Sequence, residues 1–203
     1  MSGDVPHVAG DAVSAEPLPD WLRPPPGGFT ADDLDRLPDL PPHTELIDGS
    51  LVFESPQTAF HSIAVDFLTG KLRRSAPASL RVRREMTITL GPRQRPEPDI
   101  VVVDAAASGM DRTTYEPEDV VLAVEVVAAE SQERDRKRKP QLYAEAGIRH
   151  FWRVENIDGR LTVYVHELDP ATRTYTVTGI HHDQLKLTVP FGIDIDLTEI
   201  DQL

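Results

Sequence analysis

Two short, almost uninterrupted apolar runs lie near the middle of the chain, at residues 100–103 and 120–127. β-Branched residues without polar alternation are typical of strands that are covered on both faces. Each run nevertheless has a carboxylate, because Asp99 directly precedes the first and Glu125 lies inside the second. Burying a carboxylate without a partner is costly, so the two acids need a shared explanation.

The chain before these runs predicts a hairpin, a helix and a strand. Residues 44–54 favour a hairpin that turns at an Asp-Gly dipeptide and has Glu45 on its first strand. Apolar positions at helical spacing predict an amphipathic helix over residues 58–74, with basic residues in its last turn. Residues 81–90 alternate basic and apolar positions, which predicts one half-exposed strand.

The segment after the second run predicts a helix that ends at Gly147. Projection at about 100° per residue places Asp135, Lys139 and Tyr143 on one face. The residues that face away are Arg134, Lys137, Arg138, Gln141 and Glu145. Pro140 disfavours helical geometry at Lys139 and is best placed at the start of a helix. The helix therefore either continues through Pro140 despite this preference or begins at Pro140. In both cases the Lys139 ammonium points toward the buried acids.

The predicted fold is α+β with an α/β core, in which a mixed β-sheet is flanked by helices. Four antiparallel strands complete it, at residues 150–155, 161–167, 174–180 and 185–189. A length of 203 residues fits one domain with a tail. Residues 1–28 are rich in Pro, Gly, Ala and acids, which favours disorder. We therefore expect a single domain over residues 29–203.

Composition and charge narrow the classes of function. The chain has no cysteine, which excludes disulfides and thiolate zinc sites. No segment reaches the roughly 18 apolar residues of a membrane span, and the first residues lack the features of a signal peptide. We therefore expect a soluble cytoplasmic protein without a membrane partner. The formal net charge of −13 opposes general attraction to phosphate backbones, so any contact with nucleic acid must be local.

One basic cluster is present in this acidic chain. It consists of Arg73, Arg74, Arg81, Arg83, Arg84, Arg93 and Arg95. The cluster is either surface charge that balances acids elsewhere or a patch that follows a phosphate backbone beside Asp99. His61 also has a structural and a functional interpretation. It is either a capping or packing residue of the helix or a phosphate contact.

Asp99 and Glu125 together predict a site for a divalent cation. Carboxylate oxygens are preferred ligands of Mg²⁺, with Mn²⁺ as an alternative, and coordination would offset the cost of burying both acids.

Structural interpretations of the same residues stay open. Asp99 could begin a strand with its side chain in solvent, Glu125 could lie near a strand end, and Lys139 could be a solvated member of the charged run 133–139. The acid pair could also hold a structural cation in a protein interaction domain.

Several stretches of the chain carry a resemblance to a known family. They are ELIDGSLV, SPQTAFHS, RPEPDIVVV, VVLAVEVV and DRKRKPQLYAEAGIRHFWRVE. From about residue 29 to near its end, the chain resembles the Uma2 family, a branch of the PD-(D/E)XK nuclease superfamily. The resemblance implies a restriction-endonuclease-like fold and a metal-dependent endonuclease that hydrolyses phosphodiester bonds, with DNA as the expected substrate. Cleavage of both strands would favour a homodimer.

The resemblance also implies roles for individual residues. Asp99 and Glu125 would hold Mg²⁺, with the backbone carbonyl of Val126 as a further ligand. Lys139 would orient the attacking water and stabilise the transition state. Glu45 would add a carboxylate near the metal. Independently of the resemblance, the basic cluster and the position of His61 lead us to expect nucleic-acid contacts from His61, Arg83, Arg84, Arg93 and Arg95.

The chain departs from the superfamily pattern at one place, where the family has its lysine at the position of Lys139 instead, and from the family pattern at another. The superfamily usually has a lysine two residues after the second acid, where this chain has Val127, and the family commonly has Ser-Pro where this chain has Ala128 and Ala129. Glu45 has a simpler alternative role as a cross-strand ion-pair partner. For the whole protein, the alternative to an enzyme is a nuclease-fold module that has lost catalysis and binds nucleic acid or protein.

Overall fold

A six-stranded mixed β-sheet forms the centre of the structure, a computed structural model that describes residues 19–203. The α-helices are α1 (Ala31–Leu34), α2 (Ala59–Ser75) and α3 (Lys139–Glu145). The strands are β1 (Thr44–Ile47), β2 (Ser50–Phe53), β3 (Leu80–Arg84), β4 (Thr87–Ile88), β5 (Ile100–Asp104), β6 (Thr114–Tyr115), β7 (Val120–Val126), β8 (His150–Ile157), β9 (Arg160–Asp169), β10 (Thr174–His181), β11 (Gln184–Leu187) and β12 (Ile193–Asp196).

The sheet has the order β10-β9-β8-β7-β5-β3, in which β7 and β8 run parallel and the other neighbours run antiparallel. Three separate pairs accompany it: β1 with β2 and β11 with β12 are antiparallel, whereas β4 with β6 is parallel. This arrangement confirms the predicted α+β class with a mixed sheet flanked by helices.

The disordered tail predicted for residues 1–28 stays a prediction, because residues 1–18 lie outside the described part of the chain. Residues 19–28 include a short 3₁₀ helix at Asp20–Leu22. Between residues 19 and 203, no helix is both long and apolar enough to cross a membrane.

Both faces of the central strands are covered, as the apolar runs predict. Side chains alternate across a strand, so Leu122 and Val124 of β7 pack in the cluster that includes α2, whereas Ala123 packs in the cluster that includes Tyr143 of α3. The α2 side also buries residues of β11 and β12. Because Glu125 follows this alternation, it shares the face of Ala123 and points toward α3.

The predicted hairpin is confirmed as β1 and β2. Asp48 and Gly49 have φ values of 54° and 77°, and two consecutive positive values are typical of a type I′ turn. A Cβ at Gly49 would lie 2.6 Å from Nε of Arg93, so a larger residue would displace that side chain. The Arg93 guanidinium donates to the carbonyl oxygen of Asp48 at 2.6 Å, so this arginine holds the turn.

The single strand predicted over residues 81–90 is wrong. β3 ends at Arg84, and Glu85 has a φ of 53°, a left-handed conformation that interrupts extended pairing. The chain then resumes as β4, which pairs with β6 and lies outside the central sheet. β3 itself pairs with β5, as expected for neighbouring strands.

The helix that bears Lys139 begins with an unusual turn. A π-helical turn at Arg134–Arg138 precedes α3, and the Lys139 N–H donates to the carbonyl oxygen of Arg134. Pro140 lies in the first turn of α3, where its missing N–H costs little. The wider π turn brings residues five apart onto one face. The prediction that Arg134 faces away from the site is therefore wrong.

Leu68 of α2 is fully buried in the cluster between this helix and the sheet. We expect Leu68→Ala to lower the free energy of unfolding by about 2–5 kcal/mol, because it removes buried methyl groups and leaves a cavity. Urea denaturation measures this change. Arg74→Ala, at an exposed position of the same helix, should change it by less than about 0.5 kcal/mol. Equal effects of the two substitutions would contradict the packing of α2 described above.

Candidate active site

Five carboxylates from separate segments converge where β7 ends. Glu125 is on β7, and Asp99 directly precedes β5, the antiparallel neighbour of β7. Glu45 is on β1, Glu54 follows β2, and Asp135 lies in the π turn before α3. Only the tertiary fold brings these segments together, since they span the chain from the hairpin to the helix.

Lys139 lies among three of these acids and is itself buried, with 3% of its side chain exposed. Its Nζ is 2.8 Å from Oε1 of Glu45, 3.0 Å from Oε2 of Glu125 and 3.4 Å from Oδ1 of Asp135. Burial lowers the pKa of Lys139, but the three carboxylates outweigh this effect and raise the pKa well above its ordinary value. The lysine is therefore a charged, buried group, and the alternative of a solvated side chain is wrong.

Glu125 is held by two donors. Oε2 accepts from Lys139, and Oε1 accepts from the Tyr143 hydroxyl at 2.5 Å. Burial raises the pKa of Glu125 well above its usual range, while the ammonium of Lys139 opposes that shift. Burial and the Glu125 carboxylate also raise the pKa of Tyr143, so its hydroxyl keeps its proton and remains a donor. The helical projection places Tyr143 on the same face as Lys139 but does not predict this hydrogen bond.

Asp99 is positioned by the backbone and by His61. Its Oδ2 accepts from the Val126 N–H at 2.6 Å, and its Oδ1 lies 2.9 Å from Nε2 of His61. His61 comes from the first turn of α2, where its N–H donates to the capping hydroxyl of Thr58. Burial lowers the pKa of His61, but the Asp99 carboxylate outweighs burial and the net pKa is raised. The alternative in which the Asp99 side chain lies in solvent is wrong, because this side chain is only 12% exposed.

The remaining acids differ in their surroundings. Glu45 also accepts from the Glu97 N–H at 2.7 Å, but its Oε2 is buried without a hydrogen-bond partner. Asp135 accepts from the Ser131 hydroxyl, and its Oδ1 likewise has no hydrogen-bond partner. Burial, more than the neighbouring acids, raises the pKa of Asp135. These open oxygens leave acceptor capacity inside the site.

Sequence reasoning missed Glu54 and Ser131. Burial and the charge of Asp99 raise the pKa of Glu54 to about 7. Its position at the end of the hairpin that carries Glu45 was the available signal. Ser131 bridges the loop after β7, because its hydroxyl accepts from the Ala128 N–H and donates to Asp135. A serine three residues beyond the unusual Ala128 therefore ties this loop to the helix.

A small cavity lies between the acids, with a volume of about 10 Å³, enough for one water molecule or ion. Its lining includes Glu54, Asp99, Glu125, Val126 and Lys139, whereas Glu45 reaches Lys139 without lining the cavity. An adjoining cavity of about 120 Å³ lies on the other side of His61 and is lined by His43, Arg84 and Glu97. The carboxylate oxygens that line the small cavity suit a hard cation.

The donor set fits a divalent cation under one condition. Within residues 19–203, no group of three or more histidine or acidic side chains is arranged to hold a metal ion. A cation between Asp99 and Glu125 would therefore also need backbone or water ligands, such as the Val126 carbonyl.

The residues predicted to contact nucleic acid differ in their surroundings. His61 and Arg84 line the second cavity, and Arg84 pairs with Asp66 and Glu85. Arg83 bonds the Ser108 carbonyl, and Arg93 holds the hairpin turn. Arg95 is only 5% exposed and pairs with Asp35, so its predicted nucleic-acid contact is wrong. Two of its partners, Ala31 and Asp35, lie about 60 residues earlier in the chain, so no local pattern indicates this buried role.

Comparison with known proteins supports the assignment of fold and family. The model of the Uma2 family, described as "Putative restriction endonuclease", matches residues 31–198. A solved structure, a "putative nuclease belonging to DUF820" from Anabaena variabilis ATCC 29413, superposes with a TM-score of 0.68 at 16% sequence identity. The match covers 86% of this chain and 98% of that chain, and it shows a shared fold. No curated protein matches the sequence. The family match over most of its length shows that the chain belongs to the Uma2 family.

Proposed function

We propose that this protein is a divalent-metal-dependent endonuclease that hydrolyses phosphodiester bonds, with DNA as its substrate. One observation carries the proposal: the buried Lys139, ion-paired with Glu125, lines a cavity of ionic size together with Glu125 and Asp99. Membership of a family described as restriction endonucleases agrees with this chemistry. A direct test is cleavage of plasmid and single-stranded DNA with Mg²⁺ or Mn²⁺, stopped by a chelator.

The metal would be held by Asp99, Glu125 and the Val126 carbonyl. Each carboxylate has about four acceptor positions, so the bonds to His61, Tyr143 and the other donors leave room for coordination. Mg²⁺, or Mn²⁺ in its place, would neutralise charge on the phosphate and lower the pKa of a water molecule.

The other residues would orient the attacking water, offset charge on the phosphate or hold the side chains that do so. Lys139 holds its proton because acids surround it, so its ammonium can orient the attacking water and offset charge on the phosphate. Glu45 and Asp135 fix the position of that ammonium. Tyr143 fixes Glu125, and His61 fixes Asp99 at the edge where substrate would enter.

A module without catalysis is the second candidate function. Two observations favour it. The cavity is small, and Lys139 and Tyr143 already donate to both oxygens of Glu125. Such a module would bind nucleic acid or protein through the same fold. Absence of both DNA cleavage and a metal-induced stability change would favour it over the nuclease.

Mg²⁺ or Mn²⁺ at millimolar concentration should raise the melting temperature, because a ligand that binds only the native state stabilises it. Asp99→Asn should abolish this rise by removing one ligand charge. Its amide can still accept from Val126 and donate to His61, so the metal-free melting temperature should change little. Thermal denaturation with and without metal measures both effects. Glu145→Gln, an exposed acid on α3, should keep the full rise; the same loss there would point to nonspecific ion binding.

Lys139→Met should lower DNA turnover by roughly a hundredfold, the scale of removing a preorganised electrostatic group. It also leaves three buried acids without their cation, so the metal-free protein should lose about 3–5 kcal/mol of stability. The metal-induced rise in melting temperature should become larger, because a competing positive charge is gone. Lys137→Met, whose ammonium faces solvent and pairs with Glu133, is the matched control. If both variants lose turnover equally, the catalytic role of Lys139 must be withdrawn.

Glu54→Gln should stabilise the metal-free protein at pH 8 but not near pH 4.5. The unfolded carboxyl loses its proton near its ordinary value, whereas the folded one keeps it up to about 7, so wild-type stability falls across this interval. After allowance for solvent screening, the difference at pH 8 should be on the order of 1 kcal/mol. Denaturant unfolding of both proteins across this pH range, with chelator present, measures it. A difference that does not change with pH would refute the raised pKa.

A further inference from the structure

The π turn before α3 carries four cations, and one of them differs from the rest. Three pair with a carboxylate: Arg136 with Glu155, Lys137 with Glu133, and Arg138 with Asp48. Arg134 has neither an ion pair nor a side-chain hydrogen bond to any residue of the described range 19–203. The fold therefore uses three of these cations to hold the helix and leaves the fourth available.

Arg134 is located at the acid cavity. It lines the same small space as Asp99, Glu125 and Lys139. The side chain is partly buried, and its Nε is enclosed without a hydrogen-bond partner. The π turn is the cause, since it places Arg134 on the face of Lys139, five residues later.

An enclosed donor without a partner is costly, so this arrangement favours a ligand that supplies the missing acceptor. That ligand must reach the acid cavity and offer oxygen atoms to a guanidinium. A phosphate group has both properties, because arginine matches two phosphate oxygens with two parallel hydrogen bonds.

We propose that Arg134 binds the phosphate group on which the site acts, through its non-bridging oxygens. The inference rests on the proposed nuclease function. In hydrolysis the oxygen of water forms a bond to phosphorus, the bond to the leaving oxygen breaks, and a proton from the water ends on the leaving group. Negative charge increases on the non-bridging oxygens during this exchange, and Arg134 stabilises it. Lys139 acts on the water, so the two cations have separate tasks.

The test compares Arg134→Ala and Arg134→Lys with the control Lys137→Ala, all made in the full chain. Cleavage of a labelled DNA duplex with Mg²⁺ or Mn²⁺ is measured alongside binding of the same duplex by fluorescence anisotropy, with Ca²⁺ in place of the catalytic metal. We expect Arg134→Ala to lower kcat/KM by roughly a hundredfold and Arg134→Lys to lower it less, since a lysine keeps the charge but not the paired geometry. Lys137→Ala should remain within about twofold of wild type.

Two further measurements exclude a purely structural role. Arg134→Ala should keep the melting temperature and its rise with Mg²⁺, and it should reduce the slope of log affinity against log salt by about one unit. A phosphorothioate at the cleaved linkage should slow the wild type more than Arg134→Ala, because sulfur is a weak acceptor for the guanidinium.

The outcomes separate this inference from the proposed function. If wild type cleaves DNA and Arg134→Ala behaves like Lys137→Ala, the phosphate role of Arg134 is overturned while the nuclease proposal stands. If wild type cleaves no DNA, the nuclease proposal fails, and the anisotropy data decide the inference alone. Loss of binding in Arg134→Ala by tenfold or more, without loss in Lys137→Ala, would then support it, and equal binding would overturn it.

Discussion

The buried ion cluster around Lys139 is the interaction on which the rest of this structure depends. One ammonium lies within 3.4 Å of carboxylates from the hairpin, the sheet and the helix. Burying these charges separately would cost several kcal/mol each, and their close mutual contact offsets that cost only when all three elements are in place. The cluster therefore couples the hairpin and α3 to the central sheet.

The geometry of that cluster depends on how the helix before Lys139 is held. Arg136 pairs with Glu155 of β8, and Arg138 pairs with Asp48 of the hairpin turn. These ion pairs join the helix to the sheet on one side and to the hairpin on the other. The π turn then accommodates Pro140 and directs both Lys139 and Arg134 at the acids. A regular α-helix would have separated these two cations.

The site contains more negative charge than its own cations balance. Five carboxylates surround Lys139, His61 and Arg134, and two carboxylate oxygens, on Glu45 and Asp135, have no hydrogen-bond partner among the described residues. A fold selected for stability alone would not keep such a cluster, because apolar residues of similar size often stabilise a protein better. Excess acids around a small cavity suit the divalent cation that we propose for this site.

The sequence by itself determined the local elements and the identity of the main acids. The apolar runs predicted two strands covered on both faces, the Asp-Gly pair predicted the hairpin, and a carboxylate on each run indicated Asp99 and Glu125. These features are local because strand burial and turn geometry depend on neighbouring residues.

Only the tertiary structure decided the rest. The left-handed Glu85 divided a predicted strand, and burial turned Arg95 into a structural residue. Glu54 and Arg134 meet at one cavity and Glu45 reaches Lys139 beside it, although these segments lie far apart in the chain, and no local pattern specifies such contacts.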